Sequence, residues 1–99
     1  MPDLPKATNP WDSVAHLRTR EEVAAYLDAA LVVGADDPKF IAQAFGVAAR
    51  TYGVSQLSRE TGIARENLYR SLSSKGNPSL STLCKVTRAL GLGLRIEPV

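Results

Sequence analysis

VSQLSRETGIARENLYRSLS, residues 54 to 73, is the stretch on which the fold turns. Two short amphipathic runs flank Gly62, and glycine takes the positive φ that a sharp turn between helices requires. Leu57, Thr61, Ile63, Leu68 and Leu72 fall at the inward positions of such a pair, and small Ser58 lets the two helices approach closely. The spacing predicts a helix over about 55 to 61 capped by Ser55, a turn at Gly62, and a second helix over about 65 to 73. Together these make a helix-turn-helix rather than a plain hairpin of helices.

Working outward, the flanking sequence supplies further helices. Thr19 and Glu22 form a capping-box pair, and Val23, Leu27, Ala30 and Leu31 recur at helical spacing before Gly34, which predicts a helix over about 20 to 33. Asp37 and Pro38 give an N-cap and a first-turn proline. Ile41, Ala44, Phe45, Ala48 and Tyr52 then form one apolar stripe up to Gly53, a helix of about 38 to 52. Beyond the motif, a Gly76-Asn77-Pro78 loop leads to Ser79, the cap of a fifth helix with inner residues Leu83, Val86, Thr87 and Leu90, closed by Gly91. Cys84 is expected at the core edge. Leu92, Leu94 and Ile96 alternate with Gly93, Arg95 and Glu97, the period of a short strand, which needs either its twin in a dimer or the N-terminal arm as partner. That arm, residues 1 to 18, contains Pro2, Pro5 and Pro10 and one large aromatic, Trp11, which packs on the first helix or on a partner. The expectation is one all-α domain over residues 19 to 97 with an N-terminal arm and a C-terminal strand.

Composition restricts the function. The 99 residues, 44% hydrophobic and 22% charged, suit one small globular domain whose modest core favours association with another subunit. The single cysteine excludes an internal disulfide and a multi-cysteine metal site, consistent with a reducing cytoplasm. Residues 1 to 10 have no apolar h-region and no stretch suits a membrane span, so neither export nor insertion is expected. Charge is divided unevenly. Residues 1 to 49 hold four basic and seven acidic side chains, whereas residues 50 to 95 hold eight basic against Glu60 and Glu66. That asymmetry points the second half toward a polyanion. No enzyme is expected: His16 is far in sequence from Cys84, and no phosphate loop, metal-ligand cluster or carboxylate pair stands out, so neither cofactor nor metal is assigned.

In a helix-turn-helix the second helix enters the major groove and its N-terminal residues meet base edges. The outward side of that helix carries Arg65, Glu66, Asn67, Tyr69 and Arg70. Arg65 or Arg70 can pair two donors with guanine, Asn67 can hold adenine, and Glu66 can accept from cytosine. Each taken alone equally fits a solvated face or a phosphate contact. Ser55 and Gln56 suit a phosphate at the start of the preceding helix, and Ser74, Lys75 and Asn77 suit the backbone on the other flank. Arg59 and Arg88 fit the same footprint or simple solubility.

With GNPSLSTLCKVTRALG, residues 76 to 91, the motif resembles the Xre/Cro-type helix-turn-helix. LRTREEVAAYLDAAL (17 to 31), DDPKFIAQAFGVAART (36 to 51) and YRSLSSKGNPSLSTLCKVTRALGLGL (69 to 94) extend the resemblance to the addiction-module antidote family, over roughly residues 15 to 95. The resemblance implies a five-helix, lambda-repressor-like fold. It also implies a homodimeric antitoxin that neutralises a small cognate toxin of RelE/ParE/HigB type and represses its own operon at a palindromic operator in double-stranded DNA. Carried over, the DNA-reading positions are Gln56, Arg65, Asn67 and Arg70. Ala64 departs from the pattern, which places serine or threonine there, and alanine at an N-cap costs about 1 kcal/mol. Two other readings remain at this point: a phage-type regulator without a toxin, and a helix-turn-helix used only for protein interaction.

Overall fold

Thr19 and Asp37 set the frame of the fold by starting its two longest helices. The structure, a computed structural model, describes residues 19–98. The arm expected over residues 1 to 18, with Trp11 and His16, lies outside the described residues. Helix α1 spans Arg20–Val33, its first turn capped by the Thr19 hydroxyl, which accepts from the Glu22 N–H at 3.1 Å. Helix α2 spans Pro38–Tyr52, with the Asp37 carboxylate accepting from the Phe40 N–H at 3.3 Å. Helices α3 (Val54–Thr61), α4 (Arg65–Ser71) and α5 (Leu80–Ala89) follow, making five among the described residues. Ser79 caps α5 by accepting from the Thr82 N–H at 3.0 Å.

Val23, Leu27, Phe45, Ala48, Leu57, Leu68, Leu72, Val86 and Leu90 close one core contributed by all five helices. Helix α1 packs on α2, while α3 sits centrally against α2, α4 and α5. Gly46 lets α2 approach the end of α4, for a Cβ there would collide with the Leu72 carbonyl. Fully burying a leucine such as Leu57 or Leu68 removes enough apolar area to stabilise the fold by about 1.5–3 kcal/mol. The α4 side carrying Leu68 and Leu72 is therefore anchored, and its opposite side is fixed in space.

Five expectations change. Helix α3 begins at Val54 with Gly53 as N-cap, so Ser55 lies within its first turn; the Gly53 carbonyl already accepts from the Leu57 N–H at 2.9 Å. Helix α4 stops at Ser71, because the Ser73 hydroxyl donates to the Arg70 carbonyl at 2.9 Å and the chain turns away. Leu31 is 39% exposed and Cys84 is exposed, both on the outside of their helices. No strand is present among the described residues: residues 92 to 98 carry no regular secondary structure, and a strand without a neighbouring edge cannot satisfy its ladder. No helix among the described residues is long and apolar enough to cross a membrane.

Candidate nucleic-acid interface

The turn between α3 and α4 aims the site. Gly62 adopts φ 78°, ψ 7°, and nothing lies within 4 Å of where its Cβ would stand, so glycine serves the backbone angle and not a steric need. The Ser58 hydroxyl donates to the Ile63 carbonyl at 2.6 Å. Thr61 donates to the Leu57 carbonyl at 2.8 Å and accepts from the Ile63 N–H at 3.2 Å. Ser58 thus does more than make room: its hydroxyl ties α3 to the residue beyond the turn.

Past that turn Arg65, Glu66, Asn67, Tyr69 and Arg70 are all exposed, while Leu68 between them is 1% exposed. Arg65, Glu66 and Tyr69 rim, with Ser58, an open hollow of about 370 Å³ beside the start of the helix. Ala64 is the N-cap and makes no side-chain bond to the first turn, as expected of alanine. The Arg65 guanidinium donates to the Ser55 hydroxyl at 3.1 Å, joining two of the expected site residues across the motif. Asn67 and Arg70 approach at 3.5 Å, a long contact that leaves both able to turn toward a ligand. Ser74, Lys75 and Asn77 are exposed on the loop after α4, where the Lys75 N–H donates to the Ser73 hydroxyl at 3.3 Å.

Gln56 stands apart. It is half-buried, and its amide nitrogen donates to the Glu60 carboxylate at 3.0 Å and reaches the Tyr52 hydroxyl at 3.5 Å. Tyr52 in turn donates to Glu60 at 2.7 Å. The bonds from Tyr52 and Gln56, with Arg59 nearby, hold the Glu60 carboxyl below its ordinary range. Burial, then the bond to Glu60 and its charge, push the Tyr52 phenol up to about 12. Tyr52 and Glu60 were missed as site residues by the sequence reading. Their spacing with Gln56, four residues each way, is a helical-face signal that the break at Gly53 conceals. Arg88 and Lys85 rim a separate hollow with Tyr52, Glu60 and Thr61, beside the end of α3.

The arrangement can present donors and acceptors, Arg65, Glu66, Asn67, Tyr69 and Arg70, on the exposed side of a helix anchored at Leu68. Comparison with known proteins completes the picture. Residues 7–98 match the family model described as "Probable addiction module antidote protein". A protein of Haemophilus influenzae (strain ATCC 51907 / DSM 11121 / KW20 / Rd), described as "Uncharacterized protein", is 38% identical over 87 residues, which cover 88% of this chain and 88% of that one. No solved structure matches the chain.

Proposed function

Because the chain belongs to the family of probable addiction module antidote proteins, we propose that it is the antitoxin of a type II toxin–antitoxin module, repressing its own operon through an Xre/Cro-type, lambda-repressor-like helix-turn-helix. In this reading two copies bind a palindromic operator in double-stranded DNA, and the cognate toxin is a small protein of RelE/ParE/HigB type, neutralised in the cytoplasm. One observation carries the DNA part: α4 has one side sunk in the core at Leu68 while Arg65, Glu66, Asn67, Tyr69 and Arg70 are exposed. That is the disposition a helix needs to read a major groove.

Roles follow from side-chain chemistry. Arg65 and Arg70 offer paired donors to guanine, Asn67 suits adenine, and Glu66 suits the cytosine amino group. Tyr69 lies against sugar or a thymine methyl. Ser55, Ser74, Lys75 and Asn77 hold phosphates and set the register. Gln56 reaches a phosphate only by giving up its bond to Glu60, so its contribution is smaller than that of Arg65. The acidic first half of the chain supplies complementary charge for a basic toxin.

The test separates the two activities. In a mobility-shift assay on the chain's own upstream region, Arg65→Ala with Asn67→Ala abolishes operator binding, while capture of the co-expressed neighbouring small protein is kept. Unchanged operator affinity contradicts the DNA role, and failure to capture any toxin with an intact operator complex would favour a regulator without a toxin.

A further inference from the structure

After α5 the chain carries apolar side chains that it does not itself cover. Leu92 is half-buried and its N–H donates to the Thr87 carbonyl at 3.0 Å. Leu94 is 51% exposed and Ile96 is fully exposed. Residues 93–98 carry no regular secondary structure and, among the described residues, pair with no strand; the alternation of Leu92, Leu94 and Ile96 with Gly93, Arg95 and Glu97 suits them to pair as an edge. Alongside lies a cleft of about 390 Å³ between α1 and this tail, with Leu27, Leu31, Phe45 and Leu92 on its walls and Arg95 and Glu97 at its margin.

We propose that the tail pairs antiparallel with the tail of a second copy of this chain, about a twofold axis through Ile96. Charge complementarity identifies the occupant. In an antiparallel ladder with Ile96 on the axis, Arg95 of each copy lies opposite Glu97 of the other, and the symmetry makes two such ion pairs. Neighbouring registers do worse. Centring on Arg95 sets two arginines face to face, and centring on Leu94 leaves Arg95 and Glu97 opposite Gly93 and Gly91. The Ile96 register satisfies both charges and sets Ile96 of one copy against Ile96 of the other, with Leu94 opposite Pro98 and diagonal to Ile96 on the same face.

This deepens the reading given above, since it names the surface of the homodimer that a palindromic operator calls for. Its test needs no DNA and can fail separately. Sedimentation of the whole chain across a concentration series gives a dimer. Arg95→Glu or Glu97→Arg alone places like charges opposite each other and raises the dimer dissociation constant roughly tenfold or more. The exchange of both, Arg95→Glu with Glu97→Arg, restores it to within about threefold of the original. Ile96→Asp weakens the dimer without changing the helical circular-dichroism signal, because Ile96 touches no core residue. A monomeric chain, a dimer indifferent to the single changes, or a double exchange as weak as either single change overturns the proposal. So does a chain that dimerises only once residues 1 to 18 are removed, which would assign the tail to the arm. A dimer that follows the charge exchange but ignores its operator counts against the DNA reading alone.

Discussion

The turn between α3 and α4 and the tail after α5 are both short and irregular, yet they differ in who satisfies their polar groups. In the turn, Ser58, Thr61, Gly62 and Ile63 bond to one another or to α3, so the conformation belongs to this chain alone. In the tail, the N–H groups of Leu90, Gly91 and Leu92 reach back to α5, and the apolar side chains beyond Leu92 are exposed. The difference teaches that a locally closed segment can aim a functional helix, whereas an open one is an invitation to a partner.

Breaking the closed region should cost most. Leu68→Ala removes the side chain that anchors α4 and should lower stability by about 2–5 kcal/mol, measured by denaturant unfolding. A loss below about 0.5 kcal/mol, the scale of an ordinary surface change, would mean that α4 is not held to the core as described. Ser58→Ala comes next, since it strips the part-buried Ile63 carbonyl of its donor, and about 1–3 kcal/mol is expected. Ile96→Ala sharpens the contrast: the monomer should change by no more than about 0.5 kcal/mol. Equal losses for Ser58→Ala and Ile96→Ala would erase the distinction between the two regions.

The smallest effect is on titration. With the Tyr52 phenol raised to about 12, ultraviolet titration should show a tyrosyl ionisation there that Tyr52→Phe removes and Glu60→Gln brings down toward 10.0. The raised value means that Tyr52 supports the fold below pH 10.0 and that this support is lost as pH climbs toward about 12. Glu60 behaves in the opposite sense: its contribution is present above the ordinary carboxyl range and is lost as pH falls through its lowered value. Persistence of the high ionisation in Tyr52→Phe would contradict the assignment.

Elements closed by neighbours in sequence were legible. The bounds of α1 and α2 follow from Thr19, Asp37 and Pro38, whose capping bonds span three residues. The inward set Leu57, Leu68 and Leu72 and the turn at Gly62 were equally readable, because helical periodicity and a left-handed glycine are local signals. Burial of Ala42, Ala49 and Thr51 was not, since small residues suit either side of a helix and only packing decides. The start of α3 was misplaced because a glycine caps it through the backbone, leaving no side-chain mark. Within the site, the exposed residues of α4 were legible from the same period. The engagement of Gln56 by Tyr52 was hidden because it crosses from α3 to the end of α2, whereas its bond to Glu60 lies within α3. The alternation in the tail was read correctly as a pattern, but a strand is a property of two segments and one segment cannot make it.

The central claim is that the exposed side of α4 lies in a DNA groove. Tyr69, half-exposed at the middle of that side, is the place to ask. With Tyr69 replaced by p-benzoylphenylalanine, irradiation of the protein bound to its upstream duplex should give a covalent protein–DNA adduct, and the same replacement at Tyr26 on α1 should give none. An adduct at Tyr26 with none at Tyr69 would contradict the account.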